Sequence, residues 1–182
     1  MIRLAAAYKT LDVINDRVGK AMAWLALAMV LTQFVVVVLR YVFSVGFIMM
    51  QESIWYLHGI LFMLGAGYTL LRDGHVRVDI VYRTSSPRKK ALIDLFGVVI
   101  FLIPVCLIIF FFSWPYVIHS WEVFEGSTET GGIPAVFLLK TVIPVFVILV
   151  LVQGVSMGLR SFLILIGVAR PEDGNLERMG PS

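Results

Sequence analysis

Apolar residues run through this chain in four long stretches that contain no charged side chain: Ala21–Leu39, Ser53–Leu71, Leu95–Trp121 and Thr141–Leu159. Crossing a hydrocarbon core takes about 20 residues at about 1.5 Å each, so each stretch predicts a transmembrane helix. With their flanks, the spans fall at about 21–41, 52–71, 94–121 and 136–160, within one four-helix membrane domain over 1–169. The polar residues from Arg170 onward predict a flexible tail, 170–182. The fold class is all-α, a membrane bundle with amphipathic segments at the interface.

The segments between the spans carry weaker patterns. Residues 1–20 place Leu4, Tyr8, Leu11 and Ile14 or Asn15 at helical spacing, which fits a short surface helix or a frayed tail. The turn Tyr41–Gln51 is uncharged and apolar, so it is expected to pack on protein or sit in the bilayer interface. Asp73–Arg83 alternates apolar and charged residues; beside a bilayer this suits a surface-lying segment better than a strand with open edges. Ser86 reads as a helix N-cap with Pro87 at the first helical position. A helix from there to Trp121 would measure about 52 Å, well over a core of about 30 Å, and Pro104 and Pro115 are sites where it could kink.

Charge placement gives the expected orientation. Of 15 Lys and Arg residues, all but Arg40 and Lys140 lie in the N-terminal segment, the second connection or the C-terminal end, which alternate to one side. Lys and Arg favour cytoplasmic loops, so both termini are expected to be cytoplasmic. The opposite side holds the acids Glu52, Glu122, Glu125 and Glu129. A sequence pI of 9.2 could point to nucleic acid, but the basic residues flank apolar spans and form no exposed stripe, so no nucleic-acid partner is expected. Their flanking positions suit anionic lipid headgroups, making membrane lipids an expected partner. The hydrophobic share of 59% and the charged share of 15% exclude a soluble enzyme. The single cysteine, Cys106, cannot form an intrachain disulfide.

Candidate chemistry is sparse. No Asp, Glu, Lys or Arg lies within the four windows, and no pair of broken half-helices recurs in matching positions. A self-sufficient ion-coupled transporter usually keeps one or the other at mid-membrane. Nucleophile constellations, phosphate loops and Cys/His clusters with metal spacing are absent, so no enzyme activity, metal or cofactor is expected of this chain. His58 and His119 sit on neighbouring spans and could ligate a haem, the alternative reading of the chain as an electron carrier; polar packing is the blander role. Arg40 and Glu52 bracket the first outer turn and either meet across it or snorkel separately. Gly65 and Gly67 in span two, and Gly154-x-x-x-Gly158 in span four, permit close helix approach.

An ordered set of these residues resembles the small membrane subunit, DctQ type, of tripartite ATP-independent periplasmic (TRAP) transporters. It covers most of the chain and is strongest over residues 40–82: Arg40 ending span one, Glu52 opening span two, Leu64-Gly65-Ala66, and His75-Val76-Arg77-Val78-Asp79. The segment SWEVFEGSTETGGIP, with Trp121 and Glu125, is similar to the corresponding region of one branch. The resemblance implies a scaffold in a bacterial inner membrane that braces a large membrane subunit. A periplasmic solute-binding protein would deliver an organic acid anion, and the sodium sites would lie on the large subunit.

Overall fold

The computed structural model describes residues 2–75, 82 and 84–168. Asp79, most of the alternating segment after Gly74 and the tail 170–182 lie outside the described residues. Among those described every regular element is helical: α1 (Ile2–Val42), α2 (Ile48–Leu71), α3 (Pro87–Phe96), α4 (Ile103–Glu122) and α5 (Val136–Leu165). A π-helical turn, Gly97–Leu102, joins α3 to α4, so Pro87–Glu122 is one helical run of 36 residues. Four helices are thus long and apolar enough to span a membrane. In hydrocarbon a helix satisfies its own backbone groups, and charge-free apolar stretches have no better alternative.

The structure departs from the sequence pattern in three places. Residues 2–20 are not a separate surface helix; they run unbroken into the first span as a helix of 41 residues. Nothing between Asn15 and Ala21 breaks it, since Gly19 alone costs a helix only about 1 kcal/mol. The apolar turn shrinks to residues 43–47, because α1 runs on to Val42 and α2 begins at Ile48. Its apolar residues face outward, Phe43 being 63% and Phe47 53% exposed. The irregularity in the third span falls before Pro104. In a regular helix that ring would meet the carbonyl of Ile100, and the wider π turn relieves the contact. Ser86 and Pro87 do start α3, although the Ser86 side chain makes no capping bond.

The last helix organises the bundle. α5 packs against α1, α2, α3 and α4, whereas α1 packs mainly on α2 and α5. Its buried residues fall on two opposite faces. Val142, Leu149, Gln153, Ser156 and Leu163 form one; Val147, Gly154, Gly158 and Ser161 form the other. The first face meets α1 and α2, the second meets the third span.

Three helices end in the same way, with a residue in the left-handed region just past the C-cap: Asp73 (φ 60), Phe124 (φ 46) and Gly167 (φ 76). In each, the next amide donates five residues back, as Gly74 N–H does to the Thr69 carbonyl at 2.8 Å. This is a Schellman closure, which satisfies carbonyls the helix leaves open.

Candidate functional site

Polar side chains gather at the two ends of the bundle. At the Glu52 end, the α4–α5 loop folds down onto α2. Glu52 accepts a hydrogen bond from the Ser127 hydroxyl on one carboxylate oxygen, and from the Ile133 amide at 2.6 Å on the other. Gly132 makes room for this, since a Cβ there would lie 2.6 Å from Glu52 Oε2. Its neighbour Gly131 has φ 84, a left-handed turn that glycine adopts without strain.

Glu125 forms a second clasp beside the first. Its Oε2 accepts from the Lys140 ammonium at 2.5 Å and from the Ser120 hydroxyl at 2.6 Å. The hydrogen bond from Lys140, followed by that from Ser120, holds the Glu125 carboxyl below its ordinary range. Lys140 also lies 3.8 Å from the centre of the Tyr116 ring. Trp121 donates to Thr141 at 2.8 Å, and Trp121 and Phe124 both meet the Phe137 ring edge to face. The aromatic contact pins Phe124 in a backbone region that costs a non-glycine residue energy. Glu52, Trp121 and Glu125 are thus brought together through the loop. Arg40 is not; it is exposed at the end of α1 and does not meet Glu52, whose two oxygens the loop occupies.

The other end holds a network that the sequence reading did not find. Asn15 is fully buried, and its amide donates to the Leu149 carbonyl at 3.2 Å and to Gln153 Oε1 at 3.1 Å. Gln153 donates in turn to Asp12 at 2.9 Å. The Ser156 hydroxyl lies 2.6 Å from the same Asp12 oxygen and 3.1 Å from the Tyr8 carbonyl; its one proton favours the nearer carboxylate. One turn on, Asp16 bonds both Lys20 and Arg72 at 2.6 Å, and the Arg72 guanidinium stacks 5.3 Å from the Tyr68 ring centre. Tyr8, Asp12 and Asn15 recur at helical spacing, opposite Gln153 and Ser156 spaced by three. That complementarity was the available signal. The stripe by itself suits an interfacial face that either Ile14 or Asn15 could continue; in the structure Asn15 is buried and Ile14 is 42% exposed.

The four glycines divide. Gly67 faces inward, where a Cβ would stand 2.1 Å from Asn15 Oδ1 and 3.2 Å from the Leu149 carbonyl. Gly154 and Gly158 face the third span, against Leu102 and Val98. Gly65 has no atom within 4 Å of its Cβ position and opens into an apolar groove of about 390 Å³ with Gly19, Ala23, Phe62, Tyr68 and His75. His58 stacks on Phe62 of its own helix, and His119 is exposed beside Glu122 at 3.5 Å. Both lie on the outer surface of helices that meet at most marginally, so the structure does not bring them to a shared haem site.

What this arrangement can do chemically is hold helices together. Each carboxylate in the two clusters is half-buried and engaged by donors from another part of the chain, which ties the helices and the loop together.

Residues 29–163 match the family model described as "Tripartite ATP-independent periplasmic transporters, DctQ component". No curated protein and no solved structure matches the chain significantly. Four membrane-spanning helices, a charge-free middle and that match over most of the length agree: the chain belongs to the DctQ family, the small permease component of TRAP transporters.

Proposed function

We propose that this chain is the non-transporting scaffold of its transporter, a rigid body against which the transport domain of the large membrane subunit moves. TRAP systems combine a DctQ component with a large membrane subunit and a periplasmic binding protein. The observation that carries the scaffold reading is the placement of the polar groups. Ionisable side chains pair within the chain at the two ends, and the charge-free windows between them offer no carboxylate to bind an ion or substrate. A subunit built this way contributes shape and stiffness, while the solute and the sodium ions belong to the large subunit. The family match supports a bacterial inner-membrane location, Arg and Lys placement supports cytoplasmic termini, and the Glu52 clasp then faces the periplasm. The likeness of the Ser120–Pro134 segment to one branch of the family supports an organic acid anion as solute.

The test is reconstituted uptake. With binding protein and a sodium gradient present, the large subunit co-purified with this chain takes up solute, and the large subunit alone does not. Sodium-driven uptake at the full rate without this chain would overturn the scaffold role.

A further inference from the structure

The helix α3 carries a charge pattern that neither clasp uses. Arg88, Leu92 and Phe96 follow one another at four-residue spacing, with Lys89 and Ile93 beside them, so all five share one face. That face is open: Arg88 and Lys89 are exposed, as are Leu92 (58%), Ile93 (40%) and Phe96 (57%). The opposite face packs inward through Ala91, 3% exposed. Asp94, the one acid on the helix, is turned away and accepts a hydrogen bond from the Tyr82 hydroxyl at 3.0 Å. Lys90 is drawn to the same side, 5.3 Å from the centre of the Tyr82 ring. Among the described residues the outward face is left with two cations, no acid, and three large apolar side chains.

Because α3 continues into a membrane span, the apolar residues lie deeper than the basic ones, by about 6 Å for a four-residue step. We propose that this face is a docking surface for anionic phospholipid, with Arg88 and Lys89 at the headgroup phosphates and Leu92, Ile93 and Phe96 along the acyl chains. The charge complement selects the occupant. A zwitterionic headgroup nearly cancels its phosphate with its own amine, whereas a phosphatidylglycerol headgroup keeps a net negative charge for the two cations. Each basic residue close to an anionic surface contributes roughly a fivefold gain in affinity.

The full-length chain in neutral detergent micelles, titrated with phosphatidylglycerol or phosphatidylcholine, tests this by melting temperature and by the lipid retained in native mass spectrometry. Phosphatidylglycerol should raise the melting temperature more and be retained preferentially. The double variant R88Q/K89Q should lose that preference, with affinity roughly twenty-fold lower or more, while keeping its response to phosphatidylcholine. Arg88→Lys combined with Lys89→Arg should restore the preference, since charge and not side-chain shape carries it. Arg40→Gln, which removes an exposed charge at the far end, should leave it intact. Equal responses to the two lipids, an undiminished preference in R88Q/K89Q, or the same stabilisation by inorganic phosphate alone would each overturn the proposal. So would loss of the large subunit from R88Q/K89Q with the lipid response unchanged, which would assign the face to the protein partner.

Discussion

The two faces of α5 solve one problem in different ways. Toward α1 and α2 the contact is polar: Asn15, Asp12, Gln153 and Ser156 bond across the helices, and Gly67 clears space for the Asn15 amide. Toward the third span, away from the Trp121–Thr141 hydrogen bond and the Lys140–Tyr116 contact at the Glu52 end, the contact is steric, with Leu102 and Val98 entering the space over Gly154 and Gly158. Lipid tails are as apolar as leucine, so neither face gains from burying hydrocarbon, and each must rely on close packing or on hydrogen bonds. The polar face specifies one register, because an amide displaced by a turn loses its partners. The steric face adapts, because a leucine can rotate. Rigidity toward α1 and tolerance toward the third span is the lesson of the pair.

The largest effect is expected at Gly67. A methyl group there would stand 2.1 Å from Asn15 Oδ1 and 2.9 Å from its Cγ, with the Leu149 backbone behind at 3.2 Å. The Asn15 amide is the end of its side chain, but its nitrogen is tied to the Leu149 carbonyl and to Gln153, so it yields only by breaking those bonds. Gly67→Ala should therefore expel the Asn15 amide, combining overpacking with two lost hydrogen bonds, and destabilise the fold by about 3 kcal/mol in micelle unfolding. Adding Asn15→Ala should recover part of the loss, because the two sites share one space. Wild-type stability in Gly67→Ala would show that the polar face is no more exacting than the steric one.

Next in size is the amide pair. Gln153→Leu removes an acceptor from the buried Asn15 and a donor from the half-buried Asp12, at a cost of about 2 kcal/mol. A double-mutant cycle of Asn15→Leu with Gln153→Leu should show a coupling of about 1 kcal/mol, typical of interhelical hydrogen bonds in a bilayer. Strict additivity would mean that the geometry is present but contributes no energy.

The lock between Asn15 and Gln153 lies beyond what the sequence discloses. The spans could be read because hydrocarbon excludes charge, and Arg40, Glu52 and Lys140 fall where the charge-free windows end. The start of α3 could be read because Ser86-Pro87 carries a local backbone preference. Asn15 and Gln153 are 138 positions apart, and neither is unusual in its own helix. Their meeting depends on α5 lying between α1 and the third span, an order that helical periodicity does not contain. The family match starts at residue 29, beyond Asp12 and Asn15, so the resemblance could not supply the α1 half of the lock either. Glu52 is a like case. Its position suggested Arg40, its neighbour across a five-residue turn, yet its partners are Ser127 and Ile133 on a loop much farther along the chain.

On the steric face the expected effects are smaller. Gly154→Ala places a methyl 2.6 Å from Leu102 Cδ2, the far end of a side chain that can rotate, and should cost about 1 kcal/mol. At Gly158 the nearest atom is Val98 Cγ1 at 3.4 Å, an ordinary contact, so Gly158→Ala should be neutral or slightly stabilising in the same assay. A Gly154→Ala loss greater than that of Gly67→Ala would reverse the ranking of the two faces.

The smallest effect on the fold is expected two residues from the largest. Gly65 and Gly67 share a helix, a composition and a place in the same LGAG stretch, yet their faces are separated by about 200° of helical rotation. No atom lies within 4 Å of a Cβ built at Gly65, which borders the open groove between α1 and α2. Gly65→Leu in the isolated chain should therefore shift stability by no more than about 0.5 kcal/mol, the ordinary scatter for a surface position. A loss approaching that of Gly67→Ala would mean that the groove closes in the membrane and that α1 packs more tightly on α2 than its Gly19–Tyr68 contact implies. Near-neutrality in the chain leaves a clean reagent, because any weakening of the assembled transporter by Gly65→Leu would then be read directly as a contact made by this groove with the large subunit.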